Sequence, residues 1–285
     1  MTKPKRVTLF SHGRTDDTGE AVQRLVDAAA EAGVELLVPH DECEKHSIEE
    51  RPGCRLGVDP SEDTDVAVVF GGDGTILKAL RSCAGSGAPV FAFNFGAIGF
   101  LSTVEREDLD DGIARLLEGR YEVLSMPGLS IELDGEQRVG VNDISLHRRP
   151  NGRVAILGYS VRGDELGQVR CDGLVAATPV GSTGYNLANG GPILAWGVEG
   201  FVVSFIAPHT LTARALVVAP DDVLTVKNMS DRDAVEVAAD NRTVAELPPG
   251  GEMDVRFLND QVRLAQVEGA NFYHRIRAKF GRLAY

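Results

Sequence analysis

The stretch Val66–Leu80, VAVVFGGDGTILKAL, decides how this chain is read. Val66–Phe70 is a short, continuously apolar run rich in β-branched residues, the character of a parallel strand buried on both faces. Gly71, Gly72 and Gly74 follow, and they let the backbone turn tightly and bring its N–H groups close to a ligand. Thr75 stands where it can cap a helix over Ile76–Ala84, whose first amides and positive dipole end suit a phosphate. Asp73 does not suit a phosphate. A carboxylate in such a cradle is repulsive unless it faces a metal ion or takes a proton from a hydroxyl. The loop therefore reads as a place where a polyphosphate meets a nucleophile, with an ordinary glycine-rich turn as the competing reading of the local pattern.

Ahead of this stretch, Val7–Phe10 is a short apolar strand ending in the polar loop Ser11-His-Gly-Arg14. Glu20–Gly33 is expected to be a helix, with Val22, Leu25, Val26 and Ala29 on one face and Gly33 as its stop. Val34–Val38 is the next strand. Pro39–Asp65 is acidic, punctuated by Pro and Gly and weakly periodic, so it reads as a surface excursion. Behind the glycine loop, Pro89–Asn94 is a strand that runs into a second ligand-like turn, Asn94–Leu101, and Leu109–Leu117 is a helix closed by Gly119. Alternating strands and helices predict a Rossmann-like parallel α/β sheet with right-handed crossovers. Ligands bind such sheets beyond the carboxyl ends of the strands, where His12, Asp73 and the Asn94–Phe100 turn fall.

The pattern changes near Tyr121. Short apolar runs at Leu129–Leu133, Val139–Leu146, Val154–Val161, Leu174–Ala177, Phe201–Ile206, Val223–Val226, Val235–Ala238 and Val262–Val267 are mostly separated by Gly, Pro, Asp and Asn clusters. Long helical periodicity is missing, so the second half reads as a mostly-β, sandwich-like domain. The tail Phe272–Phe280 is basic and amphipathic, fit to return to the first domain. The expected division is 1–122, 123–268 and a tail 269–285.

Composition narrows the partners. The chain has 285 residues, 43% hydrophobic, enough for about two domains with sizeable cores. A net charge of -13 argues against nucleic-acid binding. No apolar run approaches a membrane span, and Met1-Thr-Lys-Pro-Lys-Arg leads directly into a strand, so the expectation is a cytoplasmic protein with no membrane partner. Cys43, Cys54, Cys83 and Cys171 show no CxxC or Cys/His spacing and are expected to be free thiols. The six histidines offer no HxxxH or HxH, so no protein-held metal site is expected.

Two stretches of the second half carry ligand-like chemistry. Asn142-Asp143 puts an amide beside a carboxylate at a strand start, where the carboxylate can grip a ribose diol and the amide can read an adenine edge; a β-turn explains the pair equally well. The segment Cys171–Pro192 supplies hydroxyls at Thr178, Ser182 and Thr183, close backbone approach at Gly181 and Gly184, and a stacking face at Tyr185. Such a stretch suits a nucleoside better than a packed core.

Gly71–Thr75, Asn142-Asp143 and Thr178–Tyr185, in this order across an α/β-then-β chain, resemble the NAD kinase family. The resemblance implies phosphoryl transfer from ATP, or inorganic polyphosphate in some members, to the 2′-hydroxyl of the adenosine ribose of NAD. It implies Mg²⁺ delivered with ATP, and a homodimer or homotetramer whose β-domain contacts complete the NAD site. By resemblance Asp73 is the proton acceptor, in a loop Gly71, Gly72, Asp73, Gly74 and Thr75 that contacts the substrates, with Lys78 one helical turn beyond. Asn142 and Asp143 match the pair on the nucleoside, and Asp172 the acid ahead of the Thr-Pro motif. Thr183, Gly184, Tyr185, Asn186, Leu187 and Ala188 match the turn that holds NAD, and Phe100 the aromatic beside a base. Arg153 and Arg170 fall where members place polar or basic groups near the ligand.

Departures from the family pattern bear on NAD affinity and cofactor preference. Val180 and Gly184 stand where Thr and Ala are more usual, Ala97 where some members carry a charge, and Asp240-Asn-Arg242 where Asp-Gly and a polar residue are usual. The rival readings are a lipid or sugar kinase sharing the glycine loop and a noncatalytic dinucleotide-binding sensor. A lipid kinase calls for an apolar acceptor groove, a phosphofructokinase for continued strand-helix alternation, and a sensor gains nothing from Asp73. No GxGxxG follows the first strand, no Walker A sequence is present, and Gly181-Ser-Thr-Gly lacks the strand-to-helix elbow of a serine nucleophile.

Overall fold

The structure, a computed structural model, describes residues 2–60, 63–96, 99–133, 135–268 and 272–281. It divides into two compact units, one of residues 1–125 with 262–285 and one of 126–261. The sequence reading divides the chain at 122/123 and 268/269 instead. The reason is that both junctions fall inside continuous strands, Glu122–Leu133 and Glu252–Gln266, where no turn residue marks a boundary.

The first unit opens with β1 (Arg6–Ser11), α1 (Thr15–Ala32), β2 (Glu35–Pro39), α2 (His40–His46) and β3 (Cys54–Val58). It continues with β4 (Val66–Gly71), α3 (Asp73–Ser82), β5 (Pro89–Asn94), β6 (Val104–Glu105) and α4 (Leu109–Glu118). Its strands lie parallel in the order β5-β4-β1-β2-β3. Every residue of β4 and β5 is buried, as expected of central parallel strands covered on both faces. On one face Val66, Val68, Phe70, Phe91 and Phe93 pack with Val22, Leu25 and Val26 of α1 and Ile113 and Leu116 of α4. On the other, α3 packs on β1, β4 and β5 through buried Ile76, Ala79 and Leu80. Helix α1 starts a turn earlier than Glu20, with Asp16 and Asp17 complementing its positive end, and stops at Gly33 in the left-handed conformation (φ 66°).

Within the Pro39–Asp65 excursion, of which Ser61 and Glu62 lie outside the described residues, His40–His46 and Cys54–Val58 are more regular than the composition suggests. Parallel pairing of β3 with β2 extends the sheet, and the buried side chain of Glu42 anchors α2. Propensity is weak in this segment; tertiary contacts make the structure.

The second unit contains β7 (Glu122–Leu133, from Met126 on), β8 (Glu136–Gly140), β9 (Asp143–Arg148), β10 (Ala155–Val161), β11 (Asp164–Cys171) and β12 (Gly173–Ala177). A short α5 (Tyr185–Ala188) precedes β13 (Phe201–Ile206), β14 (Leu216–Val218), β15 (Leu224–Asn228), β16 (Val235–Ala239), β17 (Arg242–Leu247) and β18 (Glu252–Gln266). One antiparallel sheet runs β14-β13-β12-β9-β16-β17, and a second pairs β11, β10, β15 and the first part of β18. Their inward residues, among them Leu146, Leu174, Phe201 and Val237 from one and Leu157, Val226 and Val255 from the other, form a single core. This is a β-sandwich. The end of β18 belongs to the first unit, where Arg263 and Leu264 pair with Pro89 and Val90 of β5; α6 (Phe272–Phe280) follows.

An aromatic cluster fixes the core below the glycine loop. Phe70 stacks on Phe93 at 5.0 Å and meets Phe95 edge-on at 5.8 Å. Phe70→Ala should lower stability by about 3–5 kcal/mol, read as a lower urea midpoint at unchanged slope.

Candidate functional site

Each unit presents a group of the residues singled out above. In the first, the loops leaving β1, β4 and β5 meet at the carboxyl end of the sheet: His12 N–H donates to Phe70 O (2.9 Å) and Phe95 N–H to Gly71 O (3.0 Å). The loop after β4 is fixed by what cannot be added to it. A Cβ on Gly71 would fall 2.7 Å from the Thr75 side chain, and one on Gly96 would fall 2.9 Å from the Gly72 Cα. The helix behind the loop starts earlier than expected. Gly72, in extended conformation, is the N-cap of α3, and Thr75 lies inside the first turn rather than at the cap. Asp73 is therefore a first-turn residue, where a carboxylate is favoured by the helix dipole.

The half-buried Asp73 carboxylate accepts N–H bonds from Phe100 to Oδ2 and from Leu101 to Oδ1, both 3.1 Å. Burial raises its pKa, opposed by the Leu101 and Phe100 N–H groups and by the charges of Arg275 and Lys279; the net displacement is upward. Phe100 itself is buried, its ring against Phe280 at 5.5 Å, so it serves the site through its backbone. Arg275 of α6 is buried and donates to Ser102 O and Gln266 Oε1, which ties the helix to the segment after the second turn. Ala97 and Ile98 of that turn lie outside the described residues.

Beside the glycine loop lies a cavity of about 620 Å³, lined by Ser11, His12, Arg14, Lys45, Lys78 and Phe95 together with Gly72, Gly74, Thr75 and Gly96. Lys78, singled out from sequence, opens onto it; Lys45 comes from α2, which sequence reasoning passed over as part of a surface excursion.

In the second unit, Asn142-Asp143 is laced to the Thr178–Ser182 turn. Thr178 N–H donates to Asn142 O (2.9 Å) and its hydroxyl to Val141 O (2.8 Å), while Gly181 N–H donates to Thr178 Oγ1 (3.1 Å). A Cβ on Gly181 would sit 1.9 Å from Asn142 O, so only glycine allows this approach. Thr178, Ser182 and Asn186 are fully buried. Their polar groups brace the turn: Ser182 Oγ donates to Pro179 O (2.6 Å), and Asn186 Nδ2 donates to Ser182 O and Pro192 O (both 3.0 Å). These bonds hold the loop's shape, and Asn186 Oδ1 is buried without a hydrogen-bond partner among the described residues. Thr183 and Leu187 are half-buried, and Gly184, Tyr185 and Ala188 are exposed. The Tyr185 ring stacks on His147 at 5.6 Å.

Sequence reasoning noted Asp240 only as a departure; the structure makes it a brace. Its carboxylate accepts backbone N–H from Val141 (3.1 Å), Asn142 (2.7 Å) and Asp143 (3.3 Å). It stands in a hairpin turn in which Asp240 (φ 48°) and Asn241 (φ 60°) are both left-handed. An acid followed by Asn between two alternating strands was the available signal. By contrast, the Asp143 carboxylate accepts no hydrogen bond among the described residues; burial, with the nearby charge of Asp240, pushes it up to about 7. Asn142 Oδ1 beside it is buried and unpartnered. Asp172 pairs with Arg148 at 2.6 Å. Burial and the charges of Asp143 and Asp172 raise the Tyr185 phenol, which places these acids in the ring's surroundings. Arg153 and Arg170 are exposed.

Comparison with known proteins matches both halves of the chain. The sequence model of the ATP-NAD kinase N-terminal domain matches residues 15–121, and that of the ATP-NAD kinase C-terminal domain matches residues 141–267. An NAD kinase of Thermobifida fusca is 30% identical over 296 residues, covering 98% of this chain and 90% of that one. An NAD kinase of Ralstonia nicotianae is 37% identical over 220 residues, covering 75% and 72%. Among solved structures, yeast NADH kinase complexed with NADH shares the fold with a TM-score of 0.87 at 24% identity, covering 100% of this chain and 91% of that one. An NAD kinase from Archaeoglobus fulgidus in complex with ATP gives 0.72 at 24% identity, covering 97% of each. With both domain models matched in order and a relative 30% identical across 98% of its length, this chain belongs to the NAD kinase family.

Proposed function

We propose that the protein transfers the γ-phosphoryl group of ATP to the 2′-hydroxyl of the adenosine ribose of NAD, giving NADP and ADP. The observation that carries this reading is Asp73, the one carboxylate of the glycine loop, whose burial makes it a better base than an ordinary aspartate. A ribose hydroxyl is a weak acid, so its proton must leave as its oxygen closes on phosphorus, and Asp73 is the group that takes it. The two backbone N–H groups on Asp73 keep the carboxylate oriented and steady the charge that returns when the proton moves on. Family membership weighs against the lipid- or sugar-kinase reading, and the base itself weighs against a binding-only sensor.

On the nucleoside side, Asp143 has free acceptor capacity for ribose hydroxyls, the unpartnered Asn142 Oδ1 matches a donor such as a purine amino group, and the exposed Tyr185 offers a stacking face. Asp172, Arg153 and Arg170 are held in the same proposal as outlying polar contacts, as is the Thr183–Ala188 turn through its backbone. Among the described residues no cluster of His, Cys, Asp or Glu is arranged to hold a metal. Mg²⁺ entering with ATP would therefore be held chiefly by phosphate oxygens and water, and it would offset phosphate charge. The same reading has the protein working in the cytoplasm, which its four free thiols suit, and as a homodimer or homotetramer. Leu211, Leu216 and Val217, exposed on and before the edge strand β14, are surface for such an assembly. No helix of the described chain is long and apolar enough to cross a membrane.

Incubation with NAD and MgATP, coupled to an NADP-specific dehydrogenase, should give NADP; folded protein that gives none above background overturns the kinase reading. Asp73→Asn should leave NAD binding largely intact and cut turnover about 10²-fold or more. Normal turnover in that variant would remove Asp73 from the base's role. Asp143 accepts hydroxyl hydrogens best as the carboxylate, the form lost as pH falls through about 7. The KM for NAD should therefore rise between pH 8 and pH 6, and Asp143→Asn should flatten that rise while weakening binding at pH 8.

A further inference from the structure

Two lysines from different helices converge on one oxygen. Asp41 Oδ2, on α2, lies 2.8 Å from Lys78 Nζ of α3 and 3.7 Å from Lys45 Nζ of α2 itself. Both lysines line the cavity beside the glycine loop, with Arg14 as a further cation on its wall. Lys45 is not a loose surface side chain. Its ammonium sits 2.7 Å from Glu42 Oε1 and 3.4 Å from Ser11 O, and Glu42 is 1% exposed. The other Glu42 oxygen takes the Ser11 hydroxyl, and Ser11 Oγ also meets His46 Nε2 at 2.8 Å.

A carboxylate kept this far from water needs a partner of opposite charge, and Lys45 supplies it. The result runs in both directions: Lys45 balances the buried Glu42, and Glu42 with Ser11 O fixes the position of a lysine that lines the cavity. Asp41 differs from Glu42 in being half-exposed, with side-chain exposure of 48%. Burial opposes its ionisation, but Lys78 and Lys45 hold its carboxyl below the usual range. An exposed carboxylate between two ammonium groups is the kind of ion pair that a more highly charged anion can replace.

We propose that an oxygen of the donor's phosphate chain takes the place of Asp41 Oδ2 between Lys78 and Lys45, so that α2 forms part of the donor site and Asp41 competes with the donor for it. The proposal rests on ATP being the donor, and it adds α2 to the residues that hold it. Glu42 acts as a positioning residue for Lys45. The glycine loop carries no cationic side chain and the chain no Walker A lysine; Lys45 and Lys78 supply that charge. In this arrangement Asp41 keeps two neighbouring ammonium groups from repelling one another until a polyanion replaces it.

The test is kinetic, with direct binding beside it. Asp41→Asn should lower the KM for MgATP by about two- to fivefold and leave the KM for NAD unchanged. Glu44→Gln removes the same charge from the same helix away from the lysines, and should move neither constant. Lys45→Met should raise the KM for MgATP about tenfold; because it strands the buried Glu42, Glu42→Gln/Lys45→Met is measured alongside and should show the same rise. Calorimetric titration with magnesium tripolyphosphate, in the absence of NAD, reads the subsite without turnover and should show tighter binding in Asp41→Asn. A KM for MgATP that rises or stays level in Asp41→Asn, or that falls equally in Glu44→Gln, overturns the proposal. Tighter tripolyphosphate binding in Asp41→Asn with no NADP formed by the wild-type protein would instead sink the kinase reading and leave the subsite standing.

Discussion

β4 and β5 are buried along their full length, and that constraint shapes the first unit. A strand covered on both faces has no room for a polar side chain, so chemistry can only gather where the strands end. Gly71 and Asn94, the last residues of the two strands, are paired neighbours, and the loops that leave them run side by side. Helix α3 starts at Asp73 because the chain must turn back at once to cover the sheet with Ile76, Ala79 and Leu80. The acid is delivered to the head of a helix by the same geometry that buries the core.

The second unit reaches a fixed loop by a different route. Its sandwich core is made of alternating inward residues, but the Asn142-Asp143 pair is placed by backbone hydrogen bonds. Asp240 gathers three successive N–H groups from one side, and Thr178 takes the carbonyls of Val141 and Asn142 from the other. One carboxylate is fully engaged so that its neighbour, Asp143, is left with acceptor capacity. Asp143, which accepts no hydrogen bond among the described residues, is pushed up by burial and by the charge of Asp240.

Much of this was legible in the sequence, for identifiable reasons. The apolar run before the glycines, the helical face of Val22, Leu25, Val26 and Ala29, and the short turn-bounded apolar runs after Tyr121 are local signals, and these survive without knowledge of tertiary contacts. Asp73 stood out because its charge contradicts its surroundings. The α2–β3 segment was not legible, since its order depends on Glu42 meeting Ser11 and Lys45 and on β3 finding β2, partners outside any local window. Hydroxyls and amides beside glycines serve equally well as braces or as ligand groups, and only burial and hydrogen bonding show that Ser182 Oγ and Asn186 Nδ2 brace the turn. Asp240 was hidden for the reverse reason: its partners lie about a hundred residues earlier in the chain.

The approach of Gly72 and Gly96 has one more implication. These two loops are registered by the absence of atoms, since a single added methyl carbon on Gly96 would meet the Gly72 Cα at 2.9 Å. Side-chain contacts can be exchanged one residue at a time, with a neighbour adjusting to fill a gap or relieve a clash. Backbone against backbone leaves nothing to adjust. Sequence drift can therefore rework the wall of the cavity much more freely than it can move Asp73 relative to the turn that holds it.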